Sequence, residues 1–418
     1  MGEYHIQGGK RLQGEIRIGG SKNAVLPMFA AMVLNGSTSV LHNCPQIQDT
    51  LVSIEILQHI GCTVDVEGDT IIVDSGPANK WLIPDEFTRK MRSSVLFMGG
   101  LMGRFGRADI SFPGGCHLGT RPIDMHIKAL ESMGVSIQKN DMLRCRSERL
   151  RGALIPLGFP SVGATENIML AAVLADGQTT ISNAAREPEI VDLQNFLNQM
   201  GADIRGAGSD TIVIRGVERL HRVEYRVMPD RIVAGTYMAA AAATGGEVIL
   251  NELNPHDLIP VTTKFMEMGC CIKETKDSIT IKAPPRLQYI RKLETRPHPG
   301  FPTDLQAPFV TCLALAEETS VVEENVFSSR SAHIPELGRM GADIMTMHDG
   351  RIFVIRGVPR LKGAMVEATD LRCGAALIIA GLAAEGETVV TEGHHVERGY
   401  ENIEADLRDL GADIRHLR

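Results

Sequence analysis

The sequence has no Cys-x-x-Cys pair, no apolar run long enough to span a bilayer and no basic excess, and each absence removes a class of function. Its eight cysteines are Cys44, Cys62, Cys116, Cys145, Cys270, Cys271, Cys312 and Cys373. None has a second cysteine or an adjoining histidine at zinc-ligand spacing, which leaves most of them as small apolar residues. A formal net charge of -8 argues against a broad nucleic-acid footprint, so cationic residues must act locally. With 44% hydrophobic and 22% charged residues, the chain reads as soluble and globular, with no membrane partner. Met1 to Ile6 contain no basic segment followed by an apolar stretch, so no secretory signal is expected and the cytoplasm is the expected location. At 418 residues the chain exceeds what one core usually serves, and two domains are expected.

A repeat organises the chain. An apolar helical stretch, a β-rich run, a second helix ending in a hydrophobic-Gly-small signal and a short strand recur every roughly 70 residues, marked by Gly61, Gly134, Gly201, Gly269, Gly341 and Gly411. In the third copy the pattern predicts a helix over Ser161 to Asp176, a strand at Thr179 to Asn183, a helix over Ile190 to Met200 ended by Gly201, and a hairpin of Ala202-Asp203-Ile204 with Thr211 to Ile214. The sixth copy stops at Arg418 without its closing strand, while Tyr4 to Leu12 line up with Thr211 to Leu220. An unpaired strand edge is a liability, so the N-terminal segment is expected to complete the C-terminal domain. The expected domains are 22–229, and 1–21 plus 230–418. One elongated solenoid of six units is the alternative, disfavoured because neither end carries a polar capping repeat.

The stretch Pro113-Gly114-Gly115-Cys116-His117-Leu118-Gly119-Thr120-Arg121-Pro122-Ile123-Asp124 joins glycines to a thiol and a guanidinium. A thiol near positive charge ionises readily and can act as acid, base or nucleophile, and a planar guanidinium suits carboxylate or phosphate oxygens. A glycine turn with a buried cysteine is the plainer reading. Charge also returns at helix starts. Gly20-Ser21-Lys22-Asn23 precedes an apolar helix from Val25 to Leu34 that Ser21 or Asn23 can cap, with Lys22 where the helix dipole favours an anion. Lys90 to Ser94 open another apolar helix, and Asp230-Arg231, Thr303-Asp304 and Asp370-Leu371-Arg372 repeat the arrangement. Lys22, Arg92, Arg121, Arg330, Arg372 and Arg398 in an acidic chain suggest a small, multiply anionic ligand. Asp304 can equally be a helix N-cap.

Gly20-Ser21-Lys22-Asn23-Ala24-Val25-Leu26-Pro27, Pro113-Gly114-Gly115-Cys116 with Arg121-Pro122-Ile123-Asp124 and His126, Ser161-Val162-Gly163-Ala164-Thr165-Glu166-Asn167, Pro302 to Pro308 and Glu397-Arg398-Gly399-Tyr400-Glu401 together resemble the UDP-N-acetylglucosamine 1-carboxyvinyltransferases of the enolpyruvyl transferase family. The match runs in order over nearly the whole chain. The resemblance implies an α/β, inside-out α/β barrel fold of two similar domains, each of three βαβαββ repeats, closing over a cleft. It implies transfer of enolpyruvate from phosphoenolpyruvate to the sugar 3-hydroxyl with release of phosphate, the first committed step of peptidoglycan synthesis, performed by a monomer with no cofactor and no metal. In that scheme Cys116 is the general acid and Asp304 accepts the hydroxyl proton. Lys22, Arg121 and Arg398 hold phosphate and carboxylate, with Arg92, Arg330, Asp370 and Arg372 beside them. Asn23 bonds the reacting sugar or intermediate. Arg121, Pro122, Ile123, Asp124, Met125, Ser161, Val162 and Gly163 contact uridine diphosphate, and Val326 touches the sugar.

Two positions depart from the family's usual pattern: His117 stands where alanine is common, and Gly158-Phe159 where an acidic or basic residue is common. Neither removes a chemical group. Two other functions fit part of the pattern. The sister transferase acting on shikimate 3-phosphate shares fold and chemistry, but carries a Gly-Asn-x-Gly-Thr motif, and no Gly-Asn pair occurs here. A non-catalytic nucleotide-sugar sensor would need neither the acid nor the base that Cys116 and Asp304 supply.

Overall fold

The computed structural model describes residues 2–112, 123–328 and 330–417. Their strands form six sheets of four. The third repeat shows why. In Gln178–Ser182 and Thr211–Arg215 alternate residues are buried, and antiparallel pairing sets Thr179 opposite Ile214 and Ile181 opposite Ile212, so each ribbon has one apolar face. Asp203–Arg205 pairs antiparallel with the far side of Thr211–Arg215, and Leu154–Pro156 runs parallel to Gln178–Ser182. The same order of strands recurs in all six sheets.

In the sixth sheet the place of the closing strand is taken by Glu3–Gln7, antiparallel to both Glu387–Thr391 and Asp413–Leu417. A backbone hydrogen bond confirms the equivalence. The residue after each closing strand donates its N–H to the residue before the strand that follows the apolar helix of its repeat: Gly216 to Gly177, Gly357 to Glu318, and, at the N-terminus, Gly8 to Gly386. Contacts divide the described residues into two units, one of residues up to Gly19 and from Pro229 on, the other of residues from Gly20 to Met228.

Within the second of these units, three apolar helices, Lys22–Met32, Phe97–Phe105 and Val162–Ala172, pack on one another with the sheets around them. They are buried almost all round; every residue from Ala164 to Ala172 is buried. Such helices sit in a core rather than on a surface. Gly99 and Gly100 let the middle helix approach its neighbours: an added Cβ would lie 2.5 Å from the Asn167 carbonyl oxygen and 2.3 Å from that of Ala30. Arg231–Ala243, Gln306–Ala314 and Leu371–Ala383 make the equivalent core of the other unit. Helices inside and sheets outside is the inside-out α/β arrangement.

The six marker glycines have φ between +85° and +103°, each just past a helix end, where only glycine is unstrained. Helix starts differ from the sequence pattern: in the third copy the helix expected from Ile190 begins at Pro188 and the one expected from Ser161 begins at Val162. The first apolar helix begins at Lys22, three residues before Val25, because Ser21 is its cap. A 3-10 turn, Arg92–Leu96, precedes Phe97–Phe105 where one helix from Lys90 was expected.

Candidate active site

Asp304 lies in a 3-10 turn, Thr303–Leu305, ahead of the helix Gln306–Ala314. Its carboxylate does not cap that helix, whose N-cap is Leu305 with no side-chain bond. Instead Oδ1 accepts from Arg330 Nη1 at 2.9 Å and Oδ2 from Arg372 Nη2 at 3.1 Å. Each arginine is fixed from behind. Asp370 caps the helix Leu371–Ala383, accepting from the N–H groups of Arg372 and Cys373 at 2.9 and 3.0 Å, which sets Arg372 in the first turn. Its Nη1 donates to Tyr400 at 3.3 Å, and Tyr400 shares a 2.8 Å hydrogen bond with Thr236. Arg330 lies 4.6 Å over the Phe327 ring and also donates to Thr303 Oγ1 at 2.9 Å.

Below this pair, the Thr303 hydroxyl donates to Glu324 Oε2 at 2.9 Å, while Glu324 Oε1 accepts the N–H groups of Val326 and Phe327 at 2.9 and 3.0 Å. Glu324 thereby fixes the backbone at Val326. Burial alone would push the Asp304 pKa up, but the Arg372 and Arg330 charges and their hydrogen bonds hold the carboxyl well below its usual range. Burial opposes the charge on Arg372, yet Asp304 keeps it firmly protonated. Arg330 and Arg372 have side chains only 5% and 7% exposed against 24% for Asp304, so the aspartate is the most exposed of the three. Arg398, half-buried, ends the 3-10 turn Gly393–Arg398.

The other unit holds a second group. Lys22 is the first residue of its helix and its Nζ is 2.8 Å from Asp49 Oδ2, both side chains being buried. Ser21 caps this helix by accepting from Ala24 N–H, and Ser161 caps Val162–Ala172 in the same way through Ala164 N–H, each at 3.3 Å. Asn23, Ser161, Val162 and Gly163 are half-buried at those helix starts. Ile123 precedes the helix Asp124–Ser132, whose first turn carries Asp124, Met125 and His126. Burial, then the charge of Arg92, hold His126 down at about 4 against the opposite pull of Asp124, so its ring is neutral at pH 7. Asn167 connects it to the core: Nδ2 lies 2.7 Å from His126 Nδ1 and donates to the Val95 carbonyl at 3.0 Å, while Oδ1 accepts from Gly99 N–H at 2.7 Å.

Cys116, Arg121 and Pro122 lie outside the described residues. Among the described cysteines all are buried except Cys271, and burial pushes the thiols of Cys44, Cys62, Cys145 and Cys270 up to about 12. They are inert at neutral pH. Of the predicted residues, the structure brings Asp304, Arg330, Asp370 and Arg372 into one network; Lys22 and Arg92 belong to the other unit. Four supports had no individual signal in the sequence: Asp49, Thr236, Glu324 and Tyr400, although Tyr400 lies inside the Glu397–Glu401 motif.

Residues 6–407 match the family model of EPSP synthase (3-phosphoshikimate 1-carboxyvinyltransferase). The chain is 53% identical over 99% of each chain to UDP-N-acetylglucosamine 1-carboxyvinyltransferase 2 of Caldanaerobacter subterraneus subsp. tengcongensis. It is 44% identical over the full length of both to UDP-N-acetylglucosamine 1-carboxyvinyltransferase of Acinetobacter baylyi. Among solved structures, the enolpyruvyl transferase NikO from Streptomyces tendae superposes with a TM-score of 0.88 at 27% identity, over 100% of this chain and 99% of that one. EPSP synthase from Acinetobacter baumannii, at 19% identity and a TM-score of 0.74 over both full chains, shares the fold.

Proposed function

Because the chain belongs to the EPSP synthase family, and within it to the UDP-N-acetylglucosamine 1-carboxyvinyltransferases, we infer that it transfers the enolpyruvyl group of phosphoenolpyruvate to the 3-hydroxyl of UDP-N-acetylglucosamine and releases phosphate. The observation that carries this reading is identity of 44 to 53% over the full chain to transferases of that name. The EPSP synthase of Acinetobacter baumannii is only 19% identical. The reaction opens peptidoglycan synthesis, and with it cell-wall growth and division, and is placed in the cytoplasm. We take the two contact units as the two catalytic domains, with boundaries near 22 and 229.

The chemistry assigns tasks to residues. The phosphoenolpyruvate methylene carbon gains a proton as the sugar oxygen bonds to the neighbouring carbon; the hydroxyl proton leaves to a base. Loss of phosphate and of one methyl proton then restores the double bond. Cys116 is assigned the first proton and Asp304 the hydroxyl proton. A carboxylate gripped by two guanidiniums is a weak base. When the substrate's own anionic groups engage Arg372 and Arg330, Asp304 loses part of that grip and its basicity rises, so the base is armed by the substrate it serves. Lys22, Arg121, Arg398 and Arg92 are assigned to phosphate and carboxylate, stabilising charge as a metal would elsewhere. Asn23 and Val326 are assigned to the sugar, and Ile123, Asp124, Met125 and Ser161 to the nucleotide.

The test is product identity together with thiol chemistry. Incubation with both substrates is expected to give a UDP-sugar enolpyruvyl ether by mass spectrometry. Fosfomycin, an epoxide mimic of phosphoenolpyruvate, is expected to alkylate Cys116 and spare Cys271. An unmodified Cys116 together with no ether would refute the assignment.

A further inference from the structure

One residue departs from the rule of the repeat. In four copies the strand after the apolar helix, Thr38–His42, Gln178–Ser182, Glu247–Asn251 or Glu387–Thr391, leads at once into a left-handed residue. Asn43, Asn183, Glu252 and Glu392 have φ between +55° and +59°. After the equivalent strand Thr319–Glu323, Glu324 has no positive φ and stays in register, its N–H donating to the Arg351 carbonyl at 2.8 Å. Glu252 is exposed and Glu392 half-buried, whereas Glu324 is 0% exposed. A carboxylate taken out of water costs stability unless its bonds are made.

Those bonds lead to the candidate base. Glu324 Oε1 accepts the N–H groups of Val326 and Phe327, and Oε2 accepts from the Thr303 hydroxyl. Thr303 Oγ1 in turn accepts from Arg330 Nη1 at 2.9 Å, and the same Nη1 donates to Asp304 Oδ1 at 2.9 Å. The direction of this chain is forced, because a carboxylate can only accept and a guanidinium can only donate. The one hydroxyl proton of Thr303 therefore goes to Glu324, and its lone pairs face Arg330. Phe327, fixed by the same carboxylate, carries the ring over which Arg330 lies at 4.6 Å. Two of the contacts that hold Arg330 beside Asp304 thus depend on Glu324.

Resting on the functional reading above, we propose that Glu324 is a positioning residue for the base: through the Thr303 hydroxyl it holds Arg330 where Arg330 grips Asp304, and through Val326 it ties that grip to the segment assigned to the sugar. The left-handed turn of the other copies is absent where the chain needs a carboxylate aimed at Thr303.

The test combines kinetics with the nitrogen-15 spectrum of the arginine side chains. In Glu324→Gln the amide oxygen must stay with the Val326 and Phe327 N–H groups, which turns its NH2 onto Thr303. The hydroxyl proton is then driven toward Arg330, donor against donor, and Asp304 is left oriented by Arg372 alone. We expect kcat to fall roughly tenfold or more, the range of one hydrogen bond to a charged group, with KM for UDP-N-acetylglucosamine little changed. Glu324→Ala frees the Val326 segment as well and raises that KM too. Thr303→Val lowers kcat as Glu324→Gln does, and combining the two costs little more, because one effect runs through the other; Thr303→Ser regains most of kcat. The Arg330 guanidinium rotates slowly in the wild type and faster in Glu324→Gln and Thr303→Val. If Glu324→Gln does not fold, Thr303→Val and Thr303→Ser carry the test. Unchanged kcat in Glu324→Gln and Thr303→Val, fully additive losses when they are combined, or an equally immobile Arg330 in all of them, would overturn the proposal. A wild-type protein that releases no phosphate from phosphoenolpyruvate and UDP-N-acetylglucosamine sinks the functional reading instead, and the Arg330 spectra then decide the proposal alone.

Discussion

Asp304 had two readings, a helix cap and a base; its carboxylate accepts from Arg330 and Arg372, and the helix after it has no side-chain cap, which leaves the base as the role we propose. Asp304→Asn is therefore expected to lower kcat by roughly 100- to 10,000-fold, as loss of a general base does, with KM changing less. Steady-state kinetics and a melting curve on one preparation check this; a variant that turns over normally contradicts it. Arg398→Ala is expected to weaken phosphoenolpyruvate binding as well, by about 1.5 to 3 kcal/mol for a lost charge-assisted contact, seen as a raised KM. At His333, burial holds the ring down at about 4, Asp370 pulling up and Arg330 pushing down. Nε2 of this buried ring has no hydrogen-bond partner among the described residues. An unfolded histidine binds its proton near 6.5, so the folded state is favoured above that pH and loses ground as pH falls toward 4, by up to about 1.4 kcal/mol per pH unit. His333→Leu should flatten the melting temperature over that window without lowering it at pH 7. An undiminished slope would show that His333 is not the group concerned.

At the scale of elements, the closing strands make one prediction at two distant places. A Cβ at Gly216 would stand 1.6 Å from the Ala175 carbonyl oxygen, and one at Gly8 would stand 2.2 Å from that of Ala384. Both Gly216→Ala and Gly8→Ala must displace backbone, at a cost of about 1 to 3 kcal/mol or more. Gly386→Ala, at φ +92° with open space around it, carries only the left-handed penalty of about 1 to 2 kcal/mol. Denaturant titration ranks them, and equal losses at Gly8 and Gly386 would contradict the close packing. The repeat itself was legible because it is written in local chemistry: left-handed glycines after helices and alternation in strands such as Gln178–Ser182. Helix boundaries moved by a few residues where a cap decided them, as at Ser21, since Ser21 and Asn23 both carry a side-chain oxygen able to accept from a helix-start N–H. The supports Asp49, Thr236 and Glu324 were not legible. Each meets its partner only after folding: Thr236 and Tyr400 are 164 positions apart, and no periodicity encodes such a pairing.

For the molecule as a whole, two of the cations that an acidic chain is proposed to use stand at the first turns of buried helices, Lys22 in one unit and Arg372 in the other, each beside a carboxylate, Asp49 and Asp304. These charges are held in place by carboxylates of the chain itself. Chemistry of this kind separates the transferase from both rivals, because a sensor needs binding alone and the sister enzyme needs a different acceptor. The most direct measurement is phosphate release from phosphoenolpyruvate, followed with UDP-N-acetylglucosamine, with shikimate 3-phosphate, or with neither. Release that requires UDP-N-acetylglucosamine, and falls by at least roughly 100-fold in Asp304→Asn, is the predicted result. Tight binding of the nucleotide sugar with no phosphate released, or faster release with shikimate 3-phosphate, would contradict it.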